Sequence, residues 1–182
     1  MGFILMGVWR SARNLGGWQR AVDRLPTVRA GELREGQRAK LVGIVEAAET
    51  IVAPLTGRPC VAWTVRAIGL GAEPAAVGRA RRSAAGDFIV RDADGGRVIV
   101  RGERAQVVLV DGAPISAARV AGAVQRESIL VQGDAVIVVG MVRRELDPGG
   151  EAMYREAPTR LVLDGIPLWI LPAKAIAPSG RR

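Results

Sequence analysis

No histidine occurs among the 182 residues, and Cys60 is the only cysteine. Without histidine no side chain titrates ordinarily near neutrality, so Ser-His, Cys-His and His-metal chemistry is excluded at once. A lone cysteine permits neither an internal disulfide nor a Cys/His zinc cluster. Aromatic residues make up only 4% of the chain, so its core has to be built from Ala, Val, Ile and Leu. Such small and branched side chains suit tightly turned strands. Long apolar runs are missing too: MGFILMGVW ends at Arg10, well short of the ~20 residues a membrane helix needs. That run has no basic stretch before it and no small-residue cleavage site after it, so no signal peptide is expected. Met6 stands where an acylation signal would place Ser or Thr after Gly2.

What is present is an apolar and basic chain. Hydrophobic residues make up 49%, enough for one domain with a real core. Lys and Arg number 26 against 18 Asp and Glu, a net charge of +8. A surface of that sign is drawn towards phosphate-rich partners, either nucleic acid or anionic lipid. The excess is nearly all Arg in a chain also rich in Ala and Gly, so a compositional origin accounts for it equally well.

Hydrophobic period divides the chain into three parts: an apolar segment and helix over 1–27, a β domain over 28–172 and a basic tail over 173–182. In WRSARNLGGWQRAVDR (9–24), Trp9, Ala12, Leu15, Trp18 and Val22 recur at helical spacing, and Pro26 marks the exit. Arg10, Arg13 and Arg20, lying largely off that stripe, and Trp18 on it are the candidates for contact with a membrane or a protein partner. Packing of the same helix against the domain explains the pattern as simply.

From residue 31 the period falls towards two. RAKLVGIVEA (38–47) reads as a strand bent at Gly43, and APLTGRP (53–59) as a loop. CVAWTVRAI (60–68) alternates, with Val61, Trp63 and Val65 assigned inward and Ala62, Thr64 and Arg66 outward. Residues 69–86 read as a long excursion between strands, with Arg79, Arg81 and Arg82 as a basic contact loop. Strands at 88–91 and 97–101 flank the glycine turn DADGG, and 105–111 reads as another. Residues 113–128 favour a broken helix over a loop because Ala is frequent. A strongly apolar strand follows at 134–145, and shorter ones are assigned at 151–157, 160–163 and 167–171. About seven to nine short strands, with turn signals roughly every 8 to 12 residues, predict an all-β fold: a small OB-like β-barrel with a long inter-strand loop and an N-terminal helix.

Catalytic candidates fare poorly in this frame. Cys60 opens an apolar strand, where cysteine usually serves as a small buried hydrophobe, and no histidine exists to activate it. Asp92 and Asp94, with Asp111, are carboxylates of the kind hard cations use, but DADGG lacks the EF-hand spacing, and a turn capped by its own Asp explains it. Glu127 and Asp134 fit turn and strand-start positions better than an acid–base pair. No metal, no cofactor and no enzymatic activity are therefore expected. Tyr154 and Trp169 are left as a candidate aromatic platform, a thin one for single-stranded nucleic acid, which ordinarily stacks on interleaved rings.

The segments APLTGRPCVAWTVRA, DFIVRDADGGRVIV and ESILVQGDAVIVVGMVRRE, in that order, resemble the luminal domain of the GIDE/MULAN-type membrane-anchored ubiquitin ligases and its bacterial relatives. The positions carrying the resemblance are Pro54, Leu55, Thr56, Gly57 and Cys60; Phe88, Val90, Asp92 and Gly95; and Glu127, Ile129, Gly133, Asp134 and Gly140. The opening GELREGQRAKLVGIVEA resembles that family's first strand, and the likeness spans about residues 28–172. It implies an OB-like barrel held beside a membrane, with ligase activity in a separate RING domain. This chain has neither the cysteines and histidines of a RING nor a full membrane-spanning segment. The expected role is accordingly a non-catalytic binding or scaffolding module, at an anionic membrane surface or within a protein assembly, cytoplasmic and peripheral to the membrane. Single-stranded nucleic-acid binding ranks second, and a structural subunit of a larger complex third.

Overall fold

In a computed structural model of the chain, the residues described are 22–47, 49–68, 81–103, 105–109, 116–120, 123–147, 149 and 159–173. Arg10, Arg13, Trp18, Arg20, Arg79 and Tyr154 lie outside them, as does the strand assigned to 151–157. Twelve strands run β1 (Arg38–Ala47), β2 (Ile51–Val52), β3 (Pro59–Cys60), β4 (Ala62–Ile68), β5 (Arg81–Ala85), β6 (Phe88–Arg91), β7 (Arg97–Val100), β8 (Ala105–Val107), β9 (Ser116–Val120), β10 (Ala123–Leu130), β11 (Ala135–Leu146) and β12 (Thr159–Pro172).

Five strands close a barrel in the order β11-β1-β6-β7-β12, with β12 returning to pair with β11, and β8 adds a sixth strand beyond β12. The sheet is mixed because β12 runs parallel to β7 and β8 and antiparallel to β11. This is the OB-like all-β architecture expected, with a short helical turn over residues 22–24 before it. A second antiparallel sheet, β5-β4-β10-β9, is appended, and β2 and β3 form a two-stranded ribbon.

Alternation fills the barrel. Ala39, Leu41 and Val45 of β1 point inward beside Phe88 and Val90, Val98 and Val100, Val136 and Val138, and Leu163. Phe88 is fully buried at the centre; burying such a side chain contributes about 1.5–3 kcal/mol. The opposite face of β11 is covered as well. Ile137 and Val139 pack with Val22, Val108 and Leu171 in an outer cluster, against Leu25, Trp169 and Ala173. The near-continuous apolar run of β11 is thus buried on two sides.

Glycine serves where the barrel bends. β1 exchanges its β11 partner for β6 at Ile44, and a Cβ on the preceding Gly43 would collide with the Arg91 carbonyl. Between Val139 and Met141 the β11–β12 register shifts, with Trp169 and Asp164 as the respective partners. A Cβ on the intervening Gly140 would stand 2.5 Å from Leu168 Cδ1.

Four expectations need correction. Residues 113–128 do not form a helix where described: β9 and β10 occupy 116–120 and 123–130. Local Ala preference, a weak term, is overridden by the pairing of β10 with β4 along seven register positions. The excursion at 69–86 ends in a strand, β5, paired with β4. The strands assigned at 160–163 and 167–171 are one continuous element, β12. Finally, the two faces assigned over 60–68 do not separate core from surface: Val61 lies in the barrel core and Val65 is buried, as expected, but two residues depart from the assignment. Ala62 belongs to the barrel core, whereas Trp63 packs outside it with Cys60, Ile129, Ile51 and Ala53.

Candidate functional site

Three carboxylates that the sequence singled out, Asp92, Asp134 and Glu127, bind backbone. Asp92 Oδ1 accepts the N–H groups of Asp94 (3.0 Å) and Gly96 (2.7 Å), and its Oδ2 accepts that of Ala30 (2.7 Å). It closes its own turn, where Gly95 takes a φ of +84°, and pins the segment preceding β1 to the β6–β7 hairpin. These N–H donors hold its carboxyl below the usual range, against the opposing effect of burial. Asp134 does the same on a smaller scale, its Oδ2 accepting Val131 N–H at 2.9 Å beside Gly133 at φ +89°.

Glu127 joins two of the segments on which the resemblance rests. It is 1% exposed and accepts the backbone N–H groups of Leu55 (2.7 Å) and Thr56 (3.1 Å) and the Thr56 hydroxyl. A buried carboxylate therefore organises the Pro54–Gly57 turn, in which Gly57 takes a φ of +66°. Cys60 lies beneath that turn, 3% exposed. Burial first and the Glu127 charge second push its thiol up to about 11, and Arg58 opposes them only weakly. The side chain packs with Ala53 and Ile129 as a small buried hydrophobe.

The arginines divide the surface into two kinds. On the barrel most of the described arginines are paired with carboxylates, Arg38 being an exception that lies over Trp169. Arg101 bridges Asp87 and Glu145, Glu145 also receives Arg160 at 2.8 Å, and Arg91 and Arg97 share Glu46 at 2.9 and 2.8 Å. Arg144 meets Glu35 and Arg143 meets Asp164.

On the four-stranded sheet the register does the opposite. Arg66 of β4 stands directly across from Arg81 of β5 on one side and Arg126 of β10 on the other. Directly opposed residues of an antiparallel pair share a face, so the three form a row across three strands. Arg119 of β9 falls on the same face one step further out, opposite Val124. Arg66 donates to the Leu109 carbonyl at 3.5 Å. Among the described residues neither Arg66 nor Arg126 has an acidic partner. Arg82 lies exposed on the reverse face, opposite Val65.

That face changes character row by row away from the barrel. Ala62 and Leu130 are core residues; next come the buried hydroxyls of Thr64 and Ser128. Then Arg66 is half-buried and Arg126 exposed. The next row by register sets Val124 between Ile68 and Arg119. Arg66 and Arg126 carry no motif and are 60 residues apart in the chain, so only strand pairing reveals the row. The one sequence signal was the assignment of Arg66 to the face opposite Val65.

Of the aromatic candidates, Trp169 does not join it. Trp169 is half-buried in the outer cluster with the Arg38 guanidinium 4.8 Å over its ring, and Trp63 is held in the packing around Cys60. No group of three or more His, Cys, Asp or Glu is placed to hold a metal ion among the described residues, and no helix among them is long and apolar enough to cross a membrane.

Fold and site together define a small OB-like barrel bearing an appended, arginine-faced antiparallel sheet. No family model, curated protein or solved structure matches the chain.

Proposed function

We propose that this chain is a non-catalytic binding module that works against an anionic membrane surface. The observation that carries this reading is the row Arg81–Arg66–Arg126. Like charges directly opposed across strands cost stability unless something neutralises them, and the remainder of the barrel surface shows how readily this chain pairs arginine with carboxylate. Among the described residues Arg66 and Arg126 have no carboxylate partner, which suits them to anionic groups supplied from outside. Guanidinium groups are matched to phosphate by their planar, forked donors. The resemblance to the membrane-held domains of the GIDE/MULAN-type ligases supports the same setting, with no ligase chemistry carried over.

The test is co-sedimentation of the chain with neutral and with anionic vesicles at two salt concentrations. Binding confined to anionic vesicles and weakened by salt is the expected result. No pelleting with either would overturn the reading in favour of nucleic acid or protein assembly. A specific feature keeps assembly as the second reading: Val42 and Ile44, successive outward residues of β1, are 38% and 37% exposed, apolar surface that a protein partner would cover.

A further inference from the structure

In the β6–β7 hairpin Arg91 stands directly opposite Arg97, and in the appended sheet Arg66 stands directly opposite Arg126. Opposed residues of an antiparallel pair set their Cβ atoms about 4.5–5.5 Å apart on one face. The barrel pair shows what that spacing does. Its two guanidiniums converge on a single carboxylate, Arg91 Nε donating to Glu46 Oε1 at 2.9 Å and Arg97 Nε to Glu46 Oε2 at 2.8 Å. The sheet pair has the same register relation and no acid among the described residues. Glu127, its neighbour in the chain, lies on the reverse face, buried and engaged by Leu55 and Thr56. The two pairs also differ in their exposure to water. The Arg91 and Arg97 side chains are 50% and 61% exposed, so water carries the positive charge that Glu46 leaves over. Arg66 is half-buried and held at one end by the Leu109 carbonyl, a setting that calls for an anion with charge enough for both arginines.

We infer that Arg66 and Arg126 close on a single phosphomonoester, so that the sheet prefers lipids with a terminal phosphate, such as phosphatidic acid, to phosphodiester lipids. The inference rests on the membrane reading above and goes further by naming the headgroup chemistry. A phosphomonoester carries a charge of about −1.5 to −2 at neutral pH and three strong acceptor oxygens. It therefore offers an oxygen to each guanidinium, as Glu46 does on the barrel, and enough charge to balance both. A phosphodiester has one negative charge and leaves one of the two arginines uncompensated. Two separate phosphates held so close together would repel each other. The planar donor fork of arginine suits a grip shared in this way.

The experiment compares phosphatidylcholine vesicles containing phosphatidic acid with vesicles containing phosphatidylmethanol, in which the same phosphate is capped by a methyl ester. Mole fractions are set so that the two preparations have equal electrophoretic mobility, which removes overall charge as a cause. The full chain should bind the phosphatidic acid vesicles about tenfold more tightly. Arg126→Lys, at an exposed position, keeps the charge and removes the fork. It should bring the two affinities together while binding to both vesicles persists. Arg97→Lys, in the pair already served by Glu46, should leave the preference unchanged, with thermal melts showing that both variants are folded. Equal affinity of the unaltered chain for the two vesicles would overturn the shared grip and leave the membrane reading intact. A preference that survives Arg126→Lys would overturn it too. Binding to neither vesicle would overturn both readings.

Discussion

Arg101 on the barrel touches Asp87 and Glu145, while Arg66 on the appended sheet faces Arg81 and Arg126 across the strands. The residue type is the same in both places, yet one setting uses it as a cross-link and the other as a concentration of charge. On the barrel, strand pairing brings acids and arginines of distant segments together: Glu145 of β11 receives Arg101 and Arg160, and Glu46 of β1 holds Arg91 and Arg97. On the sheet, the nearest acid in sequence to Arg126 is Glu127. Alternation sends it to the opposite face, where it is consumed by the 55–56 turn. Among the described residues, most barrel arginines are thus compensated by carboxylates, whereas Arg66 and Arg126 of the sheet are not.

That difference can be broken at Glu127, where the largest effect is expected. Glu127→Ala would strip three hydrogen bonds from a buried turn and cost about 3 kcal/mol, read as a lowered midpoint in urea. An unchanged midpoint would mean that the turn is held by other contacts.

Next in size is the barrel network. Arg101→Met should cost about 1 kcal/mol, since these pairs are only partly buried. The network also sets an acid limit. Glu145 is held below its ordinary range, chiefly by the hydrogen bond from Arg101, and Asp92 by backbone N–H groups, led by that of Ala30. Carboxyls depressed on folding contribute stability that is fully present above their unfolded values and lost as pH falls through the folded ones. Stability should therefore hold from neutrality to about pH 5 and decline below about pH 4, more shallowly in Glu145→Gln. Equal slopes in the two proteins would remove Glu145 from the account.

A smaller effect of opposite sign sharpens the contrast. Arg126→Thr relieves like-charge repulsion and adds a β-branched residue to a strand, so it should raise stability by about 0.2–1 kcal/mol while lowering affinity for anionic vesicles. Gain of stability with loss of binding is the signature of a site maintained at the expense of the fold. Loss of both would show instead that Arg126 is structural. The smallest effect is expected from salt. Screening should slow amide exchange slightly in β4 and β10 and leave the partly buried barrel pairs nearly unmoved.

The legible parts of this fold were those whose signals are local. β1 was readable from its alternation and Gly43, the β6–β7 hairpin from DADGG, and β11 from its apolar run. The Asp92 and Asp134 turns were readable because a short carboxylate beside glycine caps its own backbone. β9 and β10 were not, since SAARV and AVQRESIL carry no strand signal stronger than their alanine content; β10 becomes a strand by pairing with β4, some 60 residues away. Ala62 and Trp63 were misassigned for a related reason. Both sides of the strand are covered at its start, by the barrel core at Ala62 and by the Cys60 packing at Trp63, so alternation there did not separate core from surface.

By itself the sequence determined the class of fold and the absence of histidine and zinc-cluster chemistry, because composition and two-residue periodicity are properties of neighbours along the chain. It also determined the amount of positive charge. Where that charge accumulates was decided only by the tertiary structure. Register brings Arg81, Arg66 and Arg126 into one row and sends Glu127 to the reverse face, and a shift of a single residue in either pairing would have dispersed them, since each step along a strand exchanges its two faces.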